Sequence, residues 1–491
     1  MARFRMRKCN ESIGRLFISK PQLPYKMTSQ IELKNIQGDI VPGLPKKAES
    51  FFFFRIHNVD DFRPKLHKLV PLITTAESVS SSREAIRQHR QSDSSLLPIA
   101  FVNIAFSAKG LEKQLGLNPA DANDEGFTKG QLADAKELGD DLKQSSENPD
   151  WVPEFRKEID GVIIVAGDSQ RSVNKQLHKA LDVLGSTVKE VLNLSGHSRP
   201  GKEDGHEHFG FEDGISNPVV KGLGDDVSGQ GPVKPGVIFC GRDGDSKPDR
   251  SSWALDAIIF QNLTHDRRFL SQNALQVGDP TVDGAELLGA RLTGRWKSGA
   301  PLAITPLRDD PALAEDPDRR NKFEFNPGSQ EACPFAAHVR KMNPRSDIPI
   351  TGINPHRIIR RGIQYGPEVS AEEKRHNRTE KDRGLLFVSY QSSLEDGFQF
   401  LQKSWANPTT FPPGKTQTPG QDPLIGQIVD ADNMGARSMS GADPGNTAST
   451  LDLGFQKWVV AKGGEYFFSP SIPVLRDVFA AGFTIQESDE L

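Results

Sequence analysis

The order of hydrophobic periods along this chain narrows the fold more than any other feature. Residues 50–56 form a phenylalanine-rich run, 59–72 carry leucine and valine near helical spacing, and 98–107 are apolar and β-branched. A second cycle follows. Residues 161–166 read as a short buried strand, 172–184 as an amphipathic helix striped by Val173, Leu177, Ala180, Leu181 and Leu184, and 187–194 alternate again. The resulting order, β-α-β-β-α-β, is that of a ferredoxin-like unit, one antiparallel sheet with helices on one face. The C-terminal half repeats it with longer interruptions: strands are predicted at 252–261, 357–365, 385–391 and 459–468, and helices near 285–292 and 394–402. The expected fold class is α+β, with two ferredoxin-like domains of antiparallel sheet. A boundary near 235 divides the chain into domains 28–235 and 236–491, after a basic leader or upstream extension at 1–27. Inserts rich in Gly, Asp, Ser and Pro at 221–250 and 407–447 are predicted to be surface loops.

At 491 residues the chain is too long for one ordinary hydrophobic core. Its 61 Lys and Arg against 65 Asp and Glu leave a net charge of −4, so no large field draws it to nucleic acid or anionic lipid, and neither partner is expected. No apolar stretch reaches the about eighteen residues that a membrane-spanning helix needs. The three cysteines, Cys9, Cys240 and Cys333, form no disulfide framework and no CxxC pair for zinc. The leader sets Arg3, Arg5, Arg7, Lys8, Arg15, Lys20 and Lys26 against Glu11 alone and lacks the apolar segment of a secretory signal. It reads equally as a mitochondrial presequence or as text upstream of a start at Met27. A cytoplasmic destination is the expectation, with mitochondrial import or unconventional secretion as alternatives. No oligomeric state is favoured, because interfaces are tertiary facts.

Three segments carry chemistry: Gly210-Phe211-Glu212-Asp213-Gly214, then Cys333-Pro334-Phe335-Ala336-Ala337-His338, then Ile359-Arg360-Arg361-Gly362. Taken alone, Asp213 beside Gly214 reads as readily as a turn residue. His206 and His208 suggest a metal at first sight, but no third ligand has recognisable spacing and the pattern is not HExxH. The wider text decides. GFEDGISNP at 210–218, CPFAAHVRKMNPR at 333–345 and GLLFVSYQSSLEDGFQFLQ at 384–402 resemble the dye-decolorizing peroxidases in their expected order, the fungal members most, from roughly Thr28 to the C-terminus. The resemblance implies one haem b per chain, held chiefly by the second ferredoxin-like domain and capped by the GxxDG loop. It implies hydrogen peroxide as oxidant and dyes or phenolic compounds as one-electron reductants.

Residue by residue, the resemblance makes Asp213 the distal acid and His338 the axial ligand of the iron. A carboxylate accepts a proton in acid where an imidazole is already protonated. His356 competes with His338, but in a strand over 356–364 it would share a face with Arg360, and the haem must separate ligand from distal arginine. Alignment on Gly362 selects Arg360 over Arg361 as the distal cation, a permanently charged donor for the departing oxygen. Arg345 matches the family's propionate-pairing arginine, its alternative being a plain surface residue. Leu385 and Phe387, on one strand face, match apolar groups over the haem or serve the core alone. Tyr365 and Trp405 are candidates for an electron relay to bulky substrates at the surface. Two other readings remain: a haem-binding or iron-handling protein of the same superfamily, which keeps His338 with little peroxidase activity, and a non-catalytic ferredoxin-like interaction protein.

Overall fold

Four consecutive phenylalanines, 51–54, lie in strand β1 (Ala48–Ile56), which is buried on both faces apart from Arg55. A strand with no polar alternation belongs in the middle of a sheet covered on both sides. In the computed structural model, which describes residues 31–143, 147–224, 229–247, 253–263, 267–376, 378–428, 437–455 and 457–481, β1 is indeed central. It pairs antiparallel with β3 (Gly161–Gly167) and β4 (Val188–His197), and β2 (Ala100–Ser107) adds to β3, giving the order β4-β1-β3-β2. The helices Val59–Leu69 and Gln170–Leu184 bury Phe62, Leu66, Leu69 and Val173, Leu177, Ala180, Leu184 respectively on one side of this sheet. A further helix, Ala76–Ser92, was not separable in the sequence. Thr75 and Ser78 start it with a reciprocal capping box. The basic leader at 1–27 lies outside the described residues.

The second cycle uses β5 (Trp253–Leu263), β6 (Ile359–Arg360), β7 (Ile363–Tyr365), β8 (Gly384–Gln391) and, beyond a separate ribbon of β9 (Arg437–Ser440) and β10 (Thr450–Gly454), β11 (Val459–Pro470). Its order, β11-β5-β8-β6 with β7 also on β8, repeats the permutation of the first half. The fold is α+β with two ferredoxin-like sheets. They are not separate sheets, however. β11 pairs with β2 through Phe467↔Ser107 and Phe468↔Phe106, which makes nine strands continuous. At the far edges a methyl placed on Gly196 of β4 would sit 2.5 Å from the Gln364 carbonyl of β7, so the outer strands touch and the sheet closes into a barrel.

Three sequence expectations change. The strand predicted at 357–365 is broken into β6 and β7 around Arg361 and Gly362, where a Cβ on Gly362 would meet the Leu386 carbonyl at 2.7 Å. The helix predicted near 394–402 starts only at Phe398 and continues to Ala406. The inserts at 221–250 and 407–447 are not simply surface loops: Val233, Val237, Ile238, Cys240, Asp422, Arg437 and Met439 are all buried. Gly, Asp, Ser and Pro report turns, and turns here build interior walls.

The junction of the two halves depends on a side chain. Beyond the last β2–β11 pair, Gln37 continues the ladder: its Nε2 donates to the carbonyls of Ile104 (2.8 Å) and Pro470 (2.9 Å), and its Oε1 accepts from Ile104 N–H (2.8 Å). Gln37→Ala leaves buried main-chain groups without partners and should cost about 1–3 kcal/mol. A urea titration should show a lower midpoint at unchanged slope, and an unchanged midpoint would refute the role of Gln37 at the junction.

Candidate active site

Asp213 is held by the backbone of its own loop. Glu207, half-buried on the cavity wall, accepts from the N–H groups of Phe209 (2.6 Å) and Phe211 (2.9 Å), and desolvation raises its carboxyl to about 7. Asp213 N–H donates to Gly205 O at 2.9 Å, and Gly210 and Gly214 sit at φ +97° and +78°, a turn that side chains resist. The Asp213 carboxylate accepts from Gly214 N–H at 2.6 Å and from the Arg360 guanidinium at 2.7 Å. Burial pushes its pKa up, but the charge and hydrogen bond of Arg360, with the Gly214 N–H and nearby His338, together outweigh it and hold the carboxyl below the usual range.

Arg360, the last residue of β6, and Arg361, just past its end, point to opposite sides. Arg361 N–H donates to Val388 O (2.8 Å) in β8, and its guanidinium turns to the carbonyls of Asp39 (2.9 Å) and Ile40 (3.1 Å) in the N-terminal half. Arg360 faces the cavity. His338 opens the short helix His338–Met342 and places Nδ1 2.8 Å from Oδ2 of Asp422, a fully buried carboxylate whose Oδ1 accepts from Leu424 and Ile425 N–H at 2.9 and 3.0 Å. Burial would raise Asp422, yet His338 and these donors keep it below the ordinary carboxylate range.

His338, Asp213 and Arg360 line one cavity of about 530 Å³, together with Leu385, Phe387 and Trp405. His356 lines it too, but not from a strand: it closes the turn Asn354–His356, with Nδ1 2.6 Å from Asp396 O and its ring stacked on Phe400 at 3.6 Å. The shared-face reason for rejecting it therefore does not hold. What separates the two histidines is the partner of Nδ1, a fully buried carboxylate, Asp422, for His338 and the main-chain carbonyl of Asp396 for His356.

Other expected residues sit elsewhere. Arg345 is not part of the cavity wall; its guanidinium donates to the carbonyls of Asn321 (2.9 Å) and Phe323 (2.8 Å) and lies 3.8 Å over the Phe323 ring. It is not a surface residue, and its Nε is buried with no hydrogen-bond partner among the described residues. Tyr365 and Trp405 are 8% and 3% exposed, so neither is a surface oxidation site. Trp405 is on the cavity wall, stacked on Phe411 at 4.9 Å, while Tyr365 donates to Asp382 at 3.1 Å. His208 is tied to Tyr365 O at 2.8 Å, and no cluster of three metal-ligating side chains exists among the described residues. Sequence reasoning missed Asp422, which lies 84 positions after His338 in a segment that composition marks as loop.

The donor set fits haem. One imidazole, backed by a carboxylate that raises its basicity, would suit an iron that brings its other ligands in a macrocycle. An acid and a guanidinium share the same cavity. Fold and site together define a peroxidase built on an α+β barrel. Residues 35–200 match the DyP dimeric alpha+beta barrel domain and 206–411 the C-terminal domain of Dyp-type peroxidases. A dye-decolorizing peroxidase from Mycena epipterygia is 40% identical over 95% of this chain and 92% of its own. Among solved structures, an ancestral D-type dye-decolorizing peroxidase shares 50% identity at a TM-score of 0.86, covering 91% of this chain and 99% of that one. A dye-decolorizing peroxidase in complex with 2,6-dimethoxyphenol shares 40% at 0.81, covering 92% and 100%. The chain belongs to the dye-decolorizing peroxidases, a family of haem peroxidases.

The two adjacent arginines should part company on substitution. Arg361→Leu removes a half-buried anchor between the halves and should lower the thermal midpoint while the peroxide rate per folded molecule stays within about threefold of wild type. Arg360→Leu should do the reverse, slowing the peroxide reaction by roughly 10²-fold or more. Stopped-flow kinetics beside calorimetry check both, and a larger kinetic loss at Arg361 would overturn the assignment.

Proposed function

We propose that this protein reduces hydrogen peroxide at one haem b per chain and oxidises phenolic compounds and dyes, with His338 as axial ligand, Asp213 as proton carrier and Arg360 as charge donor. The observation that carries the reading is the Asp213–Arg360 pair, 2.7 Å apart, on the cavity whose wall also holds the carboxylate-backed His338. When bound, haem supplies the redox-active iron that accepts oxidising equivalents from peroxide and hands them to reductants singly. His338 would hold the iron through Nε2, and Asp422 would keep that imidazole electron-rich. Asp213 takes the proton from the attacking peroxide oxygen and delivers it to the departing one, which leaves as water. Arg360 donates hydrogen bonds to the departing oxygen while charge develops on it. Leu385 and Phe387 exclude bulk water from this side. The pair favours peroxide reduction over haem or iron storage, because an acid beside a permanent cation suits proton transfer and charge stabilisation at a departing oxygen. The phenol held by a 40% identical relative supports small phenols as reductants. Trp405, on the cavity wall, and Tyr365 serve as relay positions from inside the fold.

The ligand is tested by substitution. His338→Ala should lose tight haem binding, read as loss of the Soret band and of haem retained through gel filtration, whereas His356→Ala should keep both. The reversed pattern would transfer the ligand role to His356.

The acid is tested by pH. Because Arg360 holds the Asp213 carboxyl below its ordinary value near 4, the base form persists into acid, and the peroxide rate should stay level through about pH 4 and fall only as pH drops through the lowered value. Asp213→Asn should be slow by roughly 10²-fold or more at every pH. If that variant reacts at the wild-type rate throughout, Asp213 is not the proton carrier.

A further inference from the structure

β6 has a free edge beside the reaction centre. It pairs with β8 through Ile359↔Tyr390 and Arg360↔Ser389, and Arg361 N–H is directed to β8. In an antiparallel strand successive peptide groups point to opposite sides, so the N–H and C=O of Arg360 face away from β8. A side chain meets them there. Oδ1 of Asn217 accepts from Arg360 N–H at 2.9 Å, and Nδ2 of Asn217 donates to Arg360 O at 3.4 Å. A carboxamide carries one acceptor and one donor side by side, as a strand residue does, so Asn217 stands in for the neighbouring strand.

Asn217 also belongs to the loop that carries Asp213, four positions further on. Its bonds to Arg360 therefore close a ring: Asp213 carboxylate, Arg360 guanidinium, Arg360 main chain, Asn217 carboxamide, and the loop backbone back to Asp213. The following Pro218 biases Asn217 toward extended conformations, which stiffens the last segment of the ring. Without the carboxamide, what ties Asp213 to Arg360 is their ion pair. That pair is weak as a clamp, since its side chains are 30% and 33% exposed and water screens their attraction.

We propose that Asn217 is a positioning residue that sets the separation of Asp213 and Arg360 by tying the loop of the first to the main chain of the second. The proposal rests on the roles given to those two groups in peroxide reduction. Asn217 does not touch peroxide; it fixes the geometry in which a proton and a developing charge are met together.

The test uses haem-loaded protein. Asn217→Ala and Asn217→Asp are compared with wild type by stopped-flow measurement of the peroxide-driven Soret change and by equilibrium titration with cyanide, a small anion that reports the distal pocket without turnover. Asn217→Ala should react about 10- to 100-fold more slowly and bind cyanide more weakly, with Soret position and haem content unchanged. Asn217→Asp keeps the acceptor for Arg360 N–H and loses the donor to Arg360 O, so it should fall between. In an Asp213→Asn background, Asn217→Ala should add less than about a twofold further loss, because the group it positions is already gone. Wild-type rate and cyanide affinity in Asn217→Ala overturn the proposal, as does an undiminished further loss in the Asp213→Asn background. If Asn217→Ala fails to fold, Asn217→Asp carries the same cycle. A wild-type rate in the single Asp213→Asn variant sinks the role of the acid itself, and that result is read independently of any change at Asn217.

Discussion

A carboxylate and a guanidinium 2.7 Å apart, from segments 147 positions apart, are the contact that the sheet topology has to deliver. Arg360 sits on an edge strand of two residues, too short to orient anything by itself. The N-terminal half supplies the mount. Lys46 donates to Arg361 O at 2.6 Å, Arg361 reaches the carbonyls of Asp39 and Ile40, and the Asp39 carboxylate takes the Tyr390 hydroxyl at 2.7 Å. Each contact crosses from one ferredoxin-like half to the other. Closing nine strands into a barrel is what brings these groups behind β6, so residues of the first sheet and its flanking segments, none of which line the cavity, still determine where Arg360 points.

The wall around His338 solves a different problem. It is built of irregular backbone, whose buried carbonyls need donors that no ladder provides. Buried cations supply them. Arg291 donates to the carbonyls of Gln330, Glu331, Ala332 and Gly441, Arg340 to those of Asn326, Ser329 and Cys333, and Lys341 to those of Pro408 and Gly420. Burial lowers Arg291 to about 10 and Lys341 to about 7, the latter with Asp422 opposing the fall. Arg340 also forks onto Asp347 at 2.7 and 2.8 Å. The sequence HVRKM is therefore more than a ligand motif: its first residue faces the cavity and its third and fourth staple the loops that enclose it.

Much of this was legible in the chain. The doubled β-α-β-β-α-β order and the phenylalanine run of β1 expose the sheet, because apolar period is a local property. Asp213, His338, Arg360, Leu385 and Phe387 were nameable from their segments, and all five line one cavity. What stayed hidden was pairing across distance. Nothing in Gln421-Asp422-Pro423 marks an acid for His338, and its surroundings read as solvent-exposed. Gln37 and Asn217 are ordinary polar residues until the strands they complete are known. For Arg345, Tyr365 and Trp405 the segments name the residue but not its burial: residue type suggests chemistry, while exposure and partners are decided by the packing of segments far away.

Asn217 has one more property, set by its neighbour Pro218. Asparagine ages by deamidation when the next residue's peptide nitrogen attacks the side-chain carbonyl and closes a succinimide ring. A proline nitrogen carries no hydrogen and cannot take that part. The carboxamide that completes β6 is thus shielded from the common chemical route by which a protein's asparagines turn to aspartate over time. In an enzyme that handles peroxide, the hinge between acid and arginine is made from a bond that does not wear out by this path.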